Sequence, residues 1–186
     1  VIRQEKDGLR HYSHIGTGNY NPKTSRIYED FGLFTDSTKV GEDLTRLFNE
    51  LSGYAIEKKF KRMLVAPLHL RKGLLKLIKN ESTNAKAGLA SGIRLKLNSL
   101  VDEEIIDALY RASKAGVPIE VLVRGICSLK AGVPGLSENI TVRSVLGRYL
   151  EHSRIYRFAH GNVVHGERLP DAASDAVYLI GSADLM

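Results

Sequence analysis

The chain has 186 residues, 43% of them hydrophobic and 26% charged, with 27 Lys and Arg against 21 Asp and Glu for a net charge of +6. That is enough apolar material for a core in one domain or two small packed halves, and no apolar run approaches the roughly 20 residues needed to cross a bilayer. The basic balance points to polyanionic partners, whether nucleic acid, anionic lipid or phosphate chains, without choosing among them. Cys127 is the single cysteine, which rules out an intramolecular disulfide, argues against a thiolate metal cluster and fits a reducing, intracellular setting.

The opening, VIRQEKDGLRHY, has neither an initiator Met nor a signal-peptide layout, so a piece of a longer chain is expected. RHYSHIG (10–16) reads as the first strand. STKVGEDLTRLFNELSG (37–53) reads as a helix, capped by Ser or Thr and stopped by Gly53. RMLVAP (62–67) has strand character. The densest basic stretch, 57–79, alternates charge with apolar residues at helical spacing, which is the pattern of a solvated helix face, and 70–88 reads as a helix with a polar end.

The clearest unit follows. IRLKLNSL (93–100) is a strand, LVDEEIIDALYRASKAG (100–116) a helix and PIEVLVRG (118–125) a buried strand. Acidic residues crowd the first turn of that helix, Lys114 sits in its last and Gly116 stops it. This is a βαβ unit with an expected right-handed crossover. CSLKAGVPGLSEN (127–139) then falls where α/β sheets place ligand loops. Arg124 and Lys130 flank Cys127, but a small buried hydrophobe is its plainer reading. NITVRSV (139–145), SRIYRF (153–158) and AVYLIG (176–181) are the last strands. Between the last two, 159–175 reads as a surface loop whose His160 and His165 lack the two further ligands a metal would need. The fold class is α/β with a central mixed sheet.

Two stretches echo each other: HIGTGNYN (14–21) and YLIGSADLM (178–186). Each carries Ile-Gly, a hydroxyl residue, a small residue and a short polar one. Upstream of the second copy stands GRYLEHSRIYRF (147–158). On a strand, His152 and Arg154 share one face. A neutral imidazole is a nucleophile near pH 7, and a guanidinium neutralises the oxygens of a transferring phosphoryl group. An H-x-R strand followed by a strand ending G-S-x-D resembles a phospholipase D-like half-site. Gly181 would allow close backbone approach, and Ser182 and Asp184 would orient the histidine. Thr17 and Asn19 hold the corresponding places in the first copy, whose own H-x-K strand would lie upstream of Val1. Residues 1–60 then form the trailing part of a first half and 61–186 a second half.

HIGTGNYNPKTSRIYEDFGLFT, the run from LKLNSLVDEEIIDALYRASKAG through SRIYRF, and YLIGSADLM together resemble the C-terminal catalytic half of the polyphosphate kinase family. The resemblance runs from about Arg10 to the end and implies an α/β, phospholipase D-like fold. It further implies reversible transfer of the terminal phosphoryl group of ATP, through a phosphohistidine, to inorganic polyphosphate. It brings ATP and ADP as nucleotides, Mg²⁺ as cofactor with ligands outside this piece, and a homo-oligomeric, cytoplasmic parent that is open to membrane association. No residue here matches the family's phosphorylated histidine. His152 matches its second active-site histidine, Arg124 a phosphate-binding arginine, Tyr28 a residue bordering the nucleotide and His14 a further histidine of the active-site region. Without the upstream histidine, this piece alone is expected to be inactive.

Two rivals are weaker. Phospholipase D-like phosphodiesterases and nucleases carry H-x-K-x4-D; here Arg154 replaces the lysine and Ala159 stands at the aspartate position. A nucleic-acid-binding module would suit the charge, but Trp is absent and the tyrosines are not interleaved with a basic strip.

Overall fold

The computed structural model describes residues 1–54, 59–159 and 176–186. The chain opens with a hairpin in which β1 (Ile2–Glu5) and β2 (Gly8–His11) pair antiparallel. Lys6 and Asp7 form the turn and Gly8 follows at φ +125°, a region glycine reaches without a Cβ clash. The ladder closes at Tyr12, whose N–H donates to the Val1 carbonyl and whose carbonyl accepts from the Val1 amino group. Beyond Tyr12 the chain changes partner. β3 (Ser13–Gly16) leads to the short β4 (Tyr28–Glu29) and pairs antiparallel with β5 (Gly32–Thr35). The single strand expected at 10–16 is therefore two strands in two sheets.

α1 (Thr38–Leu51) forms where its spacing predicts, with only Gly41 and Asp43 buried. Asp43 explains why 62–67 is not the expected strand. Its carboxylate accepts the backbone N–H groups of Lys61, Arg62 and Met63 at 2.6–3.0 Å, so those donors are unavailable to a ladder. Burial opposes the charge on Asp43, yet these bonds and Arg46 hold its pKa below the ordinary 3.8. The Val65 carbonyl then accepts from the N–H groups of His69 and Leu70, turning the chain into α2 (Leu70–Lys86). Among the described residues, the basic stretch is helical from Leu70 onward.

β6 (Ile93–Leu97), α3 (Glu103–Lys114) and β7 (Ile119–Val123) form the expected βαβ unit, with the strands parallel. Asp102 caps α3 by accepting from the Ile105 N–H at 3.0 Å, and its other oxygen accepts from Arg71 Nε at 2.6 Å, tying α3 to α2. β8 (Ile140–Arg143) adds a third parallel strand. After β9 (Leu150–Glu151), β10 (Arg154–Phe158) pairs antiparallel with β6, and β11 (Val177–Gly181) pairs antiparallel with β10, completing the five-stranded sheet in the order β11-β10-β6-β7-β8. The 159–175 loop with His160 and His165 lies, apart from buried Ala159, outside the described residues.

The core lies between one sheet face and two helices. Leu74 and Ile78 of α2 and Ile105 and Leu109 of α3 pack with Leu95, Leu97, Val121 and Phe158, all nearly inaccessible. Each such side chain contributes about 1.5–3 kcal/mol by leaving water, and Leu109→Ala would cost about 2–5 kcal/mol. Cys127 is half-buried and packs against this cluster, with Sγ 3.7 Å from the Leu129 carbonyl. What positions the site is a smaller feature. β9 pairs parallel with β4, Tyr28 opposite Leu150 and Glu29 opposite Glu151, joining the N-terminal strands to the main sheet.

Candidate active site

The β4–β9 ladder carries two backbone bonds that bracket the site. Leu150 N–H donates to Ile27 O at 2.7 Å, and His152 N–H donates to Glu29 O at 3.2 Å. The second bond brings His152 beside Asp30. Imidazole Nδ1 lies 3.0 and 3.1 Å from the two Asp30 oxygens. A carboxylate can only accept, so Nδ1 carries the hydrogen, and in the neutral imidazole Nε2 is the atom that keeps its lone pair. The Tyr28 ring stacks on the imidazole, with centroids 4.6 Å apart.

Asp30 is itself held. Thr17 Oγ1 donates to Asp30 Oδ1 at 2.8 Å and accepts the Phe31 N–H at 2.9 Å. Thr17 is fully buried. Gly18 makes room for the carboxylate, because a Cβ there would lie 2.8 Å from Asp30 Oδ2. Thr17 thus reaches the His152 imidazole through Asp30, whereas the sequence pattern placed it beside a histidine upstream of Val1. The sequence reading missed Asp30; the acidic pair beside Tyr28, in RIYED, was the signal available.

The second copy of the echo does something different. Arg154 Nη2 donates to Asp184 Oδ2 at 2.6 Å, and Asp184 Oδ1 accepts the N–H groups of Asn98 and Ser99 at 2.8 and 3.2 Å. Burial pushes the Asp184 carboxyl up, but Arg154 and those N–H groups together hold it below the ordinary 3.8. Tyr156 donates its hydroxyl to the Ala183 carbonyl at 2.9 Å, and burial, with Asp184 nearby, raises its own pKa. Asp184 therefore neutralises Arg154 and does not touch His152. Ser182 is exposed and takes no part in this network among the described residues. A Cβ on Gly181 would meet nothing within 4 Å, so no close approach requires glycine there.

Arg154 is 7% exposed, a locked cation rather than an open phosphate clamp. Its Nη1 donates to His152 O at 2.9 Å and lies 3.1 Å from His152 Nε2, the atom with the lone pair. Arg124 is more accessible. Its Nε donates to Asn98 Oδ1 at 3.1 Å, and Asn98 Nδ2 donates to His152 O at 3.4 Å. The terminal nitrogens of Arg124 make no hydrogen bond among the described residues. Arg124, Asn98, His152, Arg154, Asp30, Tyr28, Thr17 and Asp184 are thus one connected cluster.

His14 and Asn19 are not joined to it. His14 is exposed, stacked on Phe34 at 4.4 Å and within 3.3 Å of the Tyr20 hydroxyl. Asn19 Oδ1 accepts the Asn21 N–H and shapes a turn. β3, which carries His14, does lie against β11.

A divalent cation does not fit the residues present. Among the described residues, no three His, Cys, Asp or Glu side chains are grouped to hold a metal. The nearby acids are engaged: Asp30 by His152, Asp184 by Arg154 and Glu151 by Lys96 at 3.1 Å. Among the described residues, no helix is long and apolar enough to cross a membrane.

Two family models match the chain: polyphosphate kinase C-terminal domain 1 over residues 1–57 and C-terminal domain 2 over residues 63–186. The polyphosphate kinase of Streptomyces coelicolor is 55% identical over 186 residues, covering 100% of this chain and 23% of that protein. That of Mycobacterium tuberculosis is 51% identical over 190 residues, covering 100% of this chain and 24% of that protein. The crystal structure of the Porphyromonas gingivalis polyphosphate kinase superposes with a TM-score of 0.81 at 39% identity, over 95% of this chain and 27% of that one. The expected α/β, phospholipase D-like architecture holds. The chain spans about a quarter of the length of the curated relatives it matches.

Proposed function

The chain belongs to the polyphosphate kinase family, and from that premise we propose that its full-length protein transfers the terminal phosphoryl group of ATP reversibly, through a phosphohistidine, to inorganic polyphosphate. Residues 1–60 are the trailing part of a first phospholipase D-like half and 61–186 belong to a second half. The observation that carries the reading is the His152 imidazole, clamped at Nδ1 by Asp30 from one half while Arg154 Nη1 from the other lies 3.1 Å from its Nε2, with Arg124 linked to the His152 carbonyl through Asn98.

Each group has a task that its geometry supports. With Nδ1–H fixed on Asp30, Nε2 is the atom that takes or gives a proton at the transferring phosphoryl group. The resulting imidazolium would be stabilised by the carboxylate behind it. Arg124 offers unengaged N–H donors to phosphate oxygens, which carry the charge of the loose transition state. Tyr28 borders the nucleotide and keeps the imidazole plane fixed by stacking. Arg154 adds positive potential beside Nε2, moderated by Asp184. His14 lies on the strand next to β11, at the margin of the same region. The phosphorylated histidine belongs to a segment outside residues 1–186. ATP, ADP and polyphosphate are the partners of this reading, with a homo-oligomeric full-length protein and a cytoplasmic setting; nucleic acid is not a partner.

The test is His152→Ala in the full-length protein. Loss of both polyphosphate synthesis and the ATP-forming reverse reaction is expected, and an unchanged rate in either direction would overturn the role. Residues 1–186 alone, incubated with γ-labelled ATP, should acquire no acid-labile label.

A further inference from the structure

The carboxyl ends of parallel strands are where an α/β sheet places its ligands, and at the ends of β6 and β7 one buried side chain joins segments far apart in the chain. One step beyond the paired residues Leu97 and Val123 stand Asn98 and Arg124. Asn98 is 5% exposed. Its main chain is held without help from its side chain: the N–H donates to Asp184 Oδ1 at 2.8 Å, and the carbonyl accepts the Gly125 N–H at 2.8 Å. A Cβ on Gly125 would lie 2.8 Å from that carbonyl oxygen, so the close approach requires glycine there.

The side-chain amide of Asn98 serves other partners. Its Oδ1 accepts from Arg124 Nε at 3.1 Å, and its Nδ2 donates to His152 O at 3.4 Å. These two partners fix which way the amide points, because a guanidinium can only donate and a carbonyl can only accept. His152 O also accepts from Arg154 Nη1 at 2.9 Å, so it does not depend on Asn98 for a donor. Arg124 Nε does depend on it, having no other hydrogen bond among the described residues. Arg124 itself is half-buried, and its Nη1 and Nη2, unpartnered among the described residues, are not sealed from solvent.

We infer that Asn98 is a positioning residue for Arg124: it pins the guanidinium at Nε and leaves the Nη1/Nη2 edge to grip two phosphate oxygens beside His152. The inference rests on the reading of Arg124 as the phosphate-binding arginine. An arginine held at one nitrogen gives up rotamer freedom on folding, so less is lost when a phosphate chain binds. Because Nδ2 is anchored to the main chain of His152, the same amide also sets the guanidinium at a defined place relative to the imidazole, and such placement is what aligns a bound group for transfer. Asparagine suits the position because its short side chain offers one acceptor and one donor. Asn98→Asp would keep the acceptor for Nε but set a second oxygen against the His152 carbonyl and offset the guanidinium charge.

The experiment is a double-mutant cycle in the full-length protein. Asn98→Ala, Arg124→Ala and the double variant are read by calorimetric titration with inorganic tripolyphosphate at fixed salt, and by kcat/KM for phosphoryl transfer. The expected result is about tenfold weaker binding and a similar loss of kcat/KM in Asn98→Ala, with no further loss when Asn98→Ala is added to Arg124→Ala. An asparagine that only supports the fold would lower activity by the same factor in both backgrounds, because its effect would not pass through Arg124. Asn98→Leu, which fills the space without either hydrogen bond, decides the matter if Asn98→Ala fails to fold. Unchanged binding in Asn98→Ala and Asn98→Leu would overturn the proposal, and so would losses that multiply in the double variant. An Arg124→Ala protein that binds tripolyphosphate and turns over normally would overturn it as well, since nothing would be left to position. If binding shows the expected coupling while the wild-type protein transfers no phosphoryl group, the proposed reaction fails and the positioning role stands.

Discussion

Gly16-Thr17-Gly18-Asn19 and Gly181-Ser182-Ala183-Asp184 are written alike in the sequence and work differently in the fold. In the first, the hydroxyl residue matters: buried Thr17 holds Asp30, and Asp30 holds the imidazole of His152. In the second, the hydroxyl residue is exposed, and the terminal acid matters: Asp184 holds the guanidinium of Arg154. One strand end thus orients an imidazole far along the chain, across the β4–β9 pairing, while the other stabilises a buried charge on the strand beside it. Similar strand ends place side chains in similar positions, but the charged neighbour each one meets decides its task.

Substitutions can break or sharpen that contrast. The largest effect on turnover belongs to the imidazole that the first strand end holds through Asp30: His152→Ala in the full-length protein should lower phosphoryl transfer by about 10²–10⁴-fold in both directions. The two acids should then separate. Asp184→Asn leaves Arg154 buried without its charge partner and should lower unfolding stability by about 3–5 kcal/mol, read by denaturant titration. Asp30→Asn should act mainly on rate and on the pH profile, because a neutral amide no longer fixes Nδ1–H or supports an imidazolium. A large stability loss with an unchanged pH profile would reverse the roles assigned to the two acids.

The pH dependence of stability should follow Asp184 and Asp43. Both have folded pKa values below the ordinary 3.8. Their contribution is fully present above the unfolded value and is lost as pH falls through the folded one. Acid unfolding should therefore steepen below about pH 4, and Asp184→Asn should flatten that limb. Smaller still, Thr17→Val should cost about 1 kcal/mol through one lost buried hydrogen bond, with a modest loss of rate because Asp30 is less firmly placed. Ser182→Ala should change stability by less than about 0.5 kcal/mol. A larger loss at Ser182 than at Thr17 would undo the comparison.

The main sheet was legible in the sequence because its signals are local. The acidic first turn and basic last turn of α3, the apolar alternation of β6 and the buried run of β7 each report on neighbours a few residues away. The strand misread at 62–67 has the opposite character: the N–H groups of Lys61, Arg62 and Met63 are taken by Asp43, nearly twenty positions earlier. The site divides in the same way. His152, Arg154 and Thr17 announce themselves by residue type and motif, and Arg124 and Tyr28 only through the family resemblance, whereas Asp30 beside His152 is a contact across 122 positions that no spacing encodes.

By itself, the sequence determined the α/β class, the βαβ unit, the duplicated strand ends and the histidine on which they bear, because backbone periodicity and short motifs are set by adjacent residues. Only the tertiary structure decided that Asp30 rather than Asp184 clamps that histidine and that Arg154 is a neutralised cation. Hydrogen bonds and ion pairs depend on where a partner lies in space to within a few tenths of an ångström, and that distance is fixed by how the strands pack and not by their order along the chain.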